Sequence, residues 1–223
     1  NLNRFIKKNF FFYLLIVLTS ISFTTYYGYR GVYPIDSFLI FNSGYNVLNN
    51  FHPFKDYWSI TGPLLDYIQY FFFLIFEINW LSYVLHAAFI NSLLAVIAFY
   101  FYITIGLRKQ YSFVYSICIS ILAYPTIRTP IMDHHAVIFS LISIIFLILS
   151  FLNNEKKFWF LSAIFLVLSF FSKQIPSAYL GIIFFFVILA RFVKSDKNTR
   201  KNINYFLFGI IFVLTSFLIL CFA

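Results

Sequence analysis

Ionisable side chains are scarce here, with seven acids, sixteen bases and four histidines among 223 residues. Their positions are therefore the first guide to any chemistry. Asp36 stands in Tyr33-Pro34-Ile35-Asp36, and Lys55, Asp56 and Tyr57 stand in Pro53-Phe54-Lys55-Asp56-Tyr57-Trp58. Arg128 and Asp133 lie in the stretch from Pro125 to His135, and Lys173 in Ser172-Lys173-Gln174-Ile175-Pro176. Carboxylates can take up a proton, whereas Lys and Arg can hold an anion, the guanidinium bidentately and the ammonium as a point charge. Asp56, Asp133 and His134 are a candidate set for a divalent metal, because carboxylate and imidazole suit such an ion. His135 points about 100° away from His134 on a helix, so the pair does not suit one ion. No Walker loop, GxGxxG or HExxH is present.

The elements that position these groups are membrane elements. The chain is 62% hydrophobic and 10% charged, more apolar than one water-soluble core of this size can hide. Its apolar runs are continuous rather than alternating, which selects helices over a barrel. The 34 Phe and 17 Tyr follow these runs and read as lipid-facing and packing bulk. Cys118 and Cys221 fall inside them and form no disulfide framework. The net charge of +9 is scattered in short clusters between runs, which marks topology rather than a nucleic-acid surface. The chain opens at Asn1 without a methionine and stops within an apolar run, as part of a longer protein would.

Uncharged runs occur near 9–27, 64–76, 81–105, 111–125, 135–152, 158–172, 177–190 and 203–223. The run at 64–76 rises only about 20 Å against a hydrocarbon core of about 30 Å. Cytoplasmic loops carry the excess of Lys and Arg. If 64–76 crosses, five of the 16 bases fall inside; if it lies on the surface, twelve do. The second arrangement obeys the rule and predicts seven spans, a cytoplasmic N-terminus and one long outer loop over 28–80.

That loop predicts two surface helices, at about 36–50 and 64–76. In the first, Phe38, Phe41, Tyr45 and Leu48 recur at helical spacing with Asn42, Asn46, Asn49 and Asn50 opposite. Asp36 at its start suits an N-cap. Five acids (Asp36, Asp56, Asp66, Glu77, Asp133) and four bases (Arg30, Lys55, Arg128, Lys173) then share the outer side, where convergent charges line a polar cavity. Snorkelling and capping are the alternative for each taken alone. His86 and Asn91, inside a span, read as interhelical hydrogen-bonding groups.

The ordered set of Tyr33-Pro34-Ile35-Asp36, Pro53 to Trp58, Gly62-Pro63-Leu64-Leu65, Pro125 to Asp133 and Ser172-Lys173 resembles the GT-C superfamily of integral-membrane glycosyltransferases. The similarity is to the protein mannosyltransferase and aminoarabinose transferase branch, and it runs along nearly the whole chain. It implies an all-α polytopic module over 1–223 that transfers a sugar, with inversion, from a polyprenyl-phosphate donor. The acceptor would be a hydroxyl or amine of a lipid, glycan or protein at the outer, periplasmic face of a cell inner membrane. It further implies Asp36 as catalytic base, Lys173, Arg128 and Lys55 at the donor phosphate, and Asp56, Tyr57 and Asp133 in the substrate cavity. Thr61-Gly62-Pro63 departs from the family's Lys-Pro-Pro, and Ser37 replaces a second acid found in some members. A transporter or lipid-linked-sugar flippase is the competing class, for which charge and broken helices near the bilayer midplane would be expected.

Overall fold

The computed structural model describes residues 2–32, 38–59, 61–123 and 128–222, with side chains from 9 to 219 within those segments. Nine helices occur among them: α1 (Leu2–Gly28), α2 (Leu39–Leu48), α3 (Leu64–Phe76), α4 (Trp80–Thr104), α5 (Lys109–Leu122), α6 (Met132–Asn153), α7 (Lys156–Ser172), α8 (Gln174–Lys194) and α9 (Lys197–Phe222). Each expected apolar run coincides with a helix, α1 and α9 starting seven and six residues before their runs, and the described residues are all-α.

The chain divides into two compact units: Asn1–Leu48 with Asp66–Ile131, and Asn49–Leu65 with Met132–Ala223. In the first, α1, α4 and α5 pack on one another. Trp80 donates its indole N–H to the Gly28 carbonyl at one end, and Tyr13 stacks edge-on to Phe99 toward the other, so α1 and α4 are antiparallel. Asn79 starts α4 by accepting from the Ser82 amide at 2.8 Å, an N-cap that satisfies a donor the helix leaves open. Beyond α4 the chain turns at Gly106, whose φ of 96° suits a residue without Cβ. In the second unit α6 and α7 form an antiparallel hairpin, α7 also packs on α8 and α9, and Trp159, Ala163, Phe184 and Phe206 fill the core. A Cβ on Gly209 would lie 2.7 Å from the Phe160 carbonyl oxygen, so this glycine lets α9 reach the α7 backbone.

Polarity runs inside out. Ser143, Ser162, Ser169, Asn91, Gln69 and His135 have no exposed surface, while Phe185, Phe186 and Ile219 are more than 60% exposed. Water would favour the reverse; lipid favours this. Five helices, over Asn9–Gly28, Trp80–Thr104, Met132–Asn153, Gln174–Lys194 and Lys197–Ile219, are long and apolar enough to cross a membrane. These are the features of an α-helical membrane protein. Seven spans were expected, and the other two fall short: α5 has 14 residues and α7 has 17, about 21 and 25 Å of rise.

The shortness of α5 has a local cause. Residues 128–130 are buried and lie outside any helix. Irregular backbone is tolerated at such a place when protein satisfies it. The Tyr83 hydroxyl donates to the Pro130 carbonyl at 3.4 Å, and the Arg128 guanidinium donates to the Ile121 carbonyl at the C-terminus of α5.

The two loop helices also depart from expectation. The first runs over 39–48 among the described residues, and the face it turns to protein carries Ile40, Gly44 and Val47. Phe38 and Tyr45 are exposed, Leu48 is half-buried, and Phe41 lies edge-on to Phe73 and Tyr83. Gly44 sets this face: a Cβ there would lie 2.5 Å from Gln69 Cγ, so contact with α3 centres on the one residue without a side chain. The second, α3, has the predicted bounds, but its polar residues Asp66 and Gln69 are buried while Phe71, Leu74 and Ile75 are exposed.

Candidate functional site

The predicted base, Asp36, lies outside the described residues, as does the start of the Pro125 to Asp133 stretch. The remaining candidates are divided between the two units. Arg128 belongs to the first; Lys55, Asp56, Tyr57, Asp133, His134 and Lys173 belong to the second.

In the second unit three separate stretches meet at the end of the bundle formed by the start of α6 and the α7–α8 turn. Lys173 separates α7 from α8 in extended backbone, with φ −157° and ψ 134°, and Ile175 just beyond it is extended as well, with φ −107° and ψ 126°. Its Nζ lies 2.5 Å from Asp133 Oδ1 on the first turn of α6. Both side chains remain partly open, 35% for Lys173 and 58% for Asp133. The outer-loop segment is fastened beside them. Thr61 donates its hydroxyl to the Met132 thioether, next to Asp133. A Cβ on Gly62 would fall 1.7 Å from the Phe171 carbonyl oxygen, two residues before Lys173. Only glycine permits that approach, which gives Gly62-Pro63 a steric reason.

The backbone that carries Lys173 is held by groups that sequence reasoning passed over. Ser169 donates to the Ala136 carbonyl at 2.7 Å, and its hydroxyl lies 2.8 Å from that of Ser140 and 2.5 Å from that of Ser177. Ser177 reaches the Lys173 carbonyl at 2.9 Å, and the Lys173 amide donates to Ser169 O at 3.0 Å. A buried hydroxyl relay thus ties α6 to both sides of the α7–α8 turn. The signal available beforehand was a set of serines spaced within otherwise apolar spans.

Asp56 closes a tight loop. Its Oδ2 accepts from the His52 amide at 2.8 Å, its own amide donates to His52 O at 2.9 Å, and Phe54 donates to Tyr57 O at 2.8 Å. Phe54 takes φ 67° within this turn. Lys55 and Asp56 are exposed and Tyr57 is half-buried, so the loop presents a charged pair and the 81%-exposed Trp58.

Two expectations change, and one holds. Arg128 is 5% exposed, set over the Phe23 ring at 5.0 Å, and directed at the end of α5. Its charge complements the negative end of that helix dipole, where a cation is favoured. His134 is part-exposed and His135 buried, as the turn between adjacent helical residues requires. Among the described residues no three His, Cys, Asp or Glu side chains gather into a metal site, so the structure does not bring Asp56, Asp133 and His134 together.

His86 and Asn91 serve helix packing. His86 Nδ1 lies 2.9 Å from Gln69 Oε1, its ring stacked on Phe72, and Asn91 donates to Ser120 O at 2.7 Å and Thr24 Oγ1 at 3.1 Å. Comparison with family models, curated proteins and solved structures finds no match for this chain.

Proposed function

We propose that the chain is the membrane module of a glycosyltransferase that moves a sugar from a polyprenyl-phosphate carrier to an acceptor at the outer membrane face. The observation that carries this reading is the meeting of Gly62, Asp133 and Lys173, each from a stretch that resembles the GT-C pattern, at one end of the second unit, although Thr61 beside Gly62 departs from that pattern. A cation held in an exposed pair can change partners. Lys173 leaves Asp133 for the departing phosphate, whose charge it offsets, and Asp133 holds the ammonium in place before the donor arrives. A sugar phosphate is already a good leaving group, so the protein need supply only a base for the acceptor. Asp36 takes that role, removing the proton as the nucleophile attacks the anomeric carbon opposite the phosphate, with inversion. Arg128, engaged at the end of α5, serves the fold; Lys55 and Tyr57 border the acceptor or donor from the loop.

The same proposal has seven helices crossing. α7 is shielded by α6, α8 and α9. In the second unit Lys156, Lys157, Arg191, Lys194, Lys197, Arg200 and Lys201 gather about the α6–α7 and α8–α9 turns, at the end opposite Asp133 and Lys173. By the positive-inside rule that end is cytoplasmic and Asp133 and Lys173 face outward, in a bacterial inner membrane. Asn91, Ser143 and Ser169, buried within the spans, bond across helices and hold them together, which does not favour a transport path.

The test is transfer from polyprenyl-phosphate sugars in membranes holding the full-length protein. Asp36→Asn is expected to lower the rate by about 10²-fold or more. A folded Asp36→Asn protein with an undiminished rate would sink the assignment.

A further inference from the structure

The basic end of the second unit carries a groove that the proposed reaction does not use. A space of about 470 Å³ between α8 and α9 is lined by apolar side chains, among them Phe185, Ile188, Ile203, Leu207 and Ile210, with Gly181 at one wall. It shares Phe192 and Asn204 with a second space of about 570 Å³ lined by Lys197, Arg200 and Lys201. The two form one track, apolar within the bundle and cationic at its end.

The cations are placed against local stability. Lys197, Arg200 and Lys201 occupy the first turns of α9, and that turn contains no acid. A helix start is the positive end of the dipole and disfavours Lys and Arg. Asp196, just before it, accepts from the Thr199 amide at 3.2 Å and is occupied as the cap. Arg200 uses two donors on α8, Nε to Phe192 O at 3.0 Å and Nη2 to Val193 O at 3.1 Å, which leaves donors of its guanidinium for another acceptor. Neither Lys197 nor Lys201 pairs with a carboxylate among the described residues. An anion at this point would be favoured by the three side chains and by the helix start together.

We infer that this track is a binding site for an anionic phospholipid, its phosphate against Lys197, Arg200 and Lys201 and an acyl chain along the apolar groove of α8 and α9. The inference stands apart from sugar transfer. Only its assignment to the cytoplasmic leaflet uses the proposed topology, and basic clusters between spans on that side are suited to such headgroups. Gly181 allows the two halves to be separated, because a Cβ there would meet nothing within 4 Å and a larger side chain would enter open groove space.

The experiment compares retention of spin-labelled phosphatidylglycerol and phosphatidylcholine by the purified full-length protein, its folding checked by circular dichroism. The wild type is expected to prefer phosphatidylglycerol, with the preference falling at high salt. Lys197→Gln with Lys201→Gln should lower that preference roughly fivefold per lysine. Gly181→Phe should reduce retention of phosphatidylglycerol while leaving the cations in place, and inorganic phosphate alone should not displace the lipid. Equal retention of the two lipids by the wild type overturns the site without recourse to any variant. Retention unchanged in both variants also overturns it, as would follow if another protein segment filled the groove. Displacement by inorganic phosphate, with Gly181→Phe behaving as wild type, would mean a free-anion site and would overturn the lipid assignment.

Discussion

The pair Lys173 and Asp133 shows how a residue's contact and its proposed role can be separated. An exposed ion pair contributes only about 0–1 kcal/mol to stability. Lys173→Gln should therefore leave the thermal midpoint nearly unchanged while reducing sugar transfer, and Asp133→Asn should do the same more weakly; a double-mutant cycle on both readouts checks this. Asp196 gives a pH prediction outside the spans. Its hydrogen bond to Thr199 holds the carboxyl below the ordinary aspartate range. A lowered folded value means the cap is fully present above that range and is lost as pH falls through the folded value. Amide exchange at 197–200 should accelerate in strong acid, and Asp196→Asn, which can still cap, should remove the pH dependence. Buried Asn91 is different in kind, because its two amide N–H groups reach Ser120 O on α5 and Thr24 Oγ1 on α1. Asn91→Ala should cost about 1–2 kcal/mol, read as a lower unfolding midpoint in detergent.

At the scale of elements, contacts are set by residues without side chains. Gly62→Ala puts a methyl onto the Phe171 carbonyl, and backbone cannot yield as a flexible side chain does. A loss of about 1–3 kcal/mol is expected, with faster proteolysis within 49–65 as the loop leaves the end of α7. Gly44 decides which face of α2 meets protein. The spacing of Phe38, Phe41, Tyr45 and Leu48 is a true helical stripe, but an aromatic stripe in a membrane protein can meet lipid as well as core. The neighbour chosen by Gly44 turned Ile40 and Val47 inward instead. For α3 the length was legible and the face was not, since hydropathy does not distinguish a polar residue bonded inside from one in water. For α5, Arg128 shows the same limit: a lone arginine between spans reads as an outer cation, and only its buried guanidinium reveals a helix terminus being satisfied.

For the molecule as a whole, orientation is the open prediction. Reporter fusions in the α4–α5 turn near Lys109 should report the cytoplasm, and fusions in the α3–α4 turn near Glu77 should report the outside. A cytoplasmic Glu77 would overturn the seven-span topology and, with it, the outward placing of Asp133 and Lys173.

The sequence by itself determined that the chain is helical and apolar enough for a membrane, and it placed each long helix, with ends off by up to seven residues. Such features follow from hydropathy, length and charge, which are local sums along the chain. What only the tertiary structure decided is which groups meet: Asp133 with Lys173 across 40 positions, Thr61 with Met132 across 71, and the serine relay that steadies the α7–α8 turn. The physical reason is that lipid solvates every apolar face alike. The partner of a helix is then chosen by close backbone approach and polar satisfaction, which depend on residues far apart in sequence.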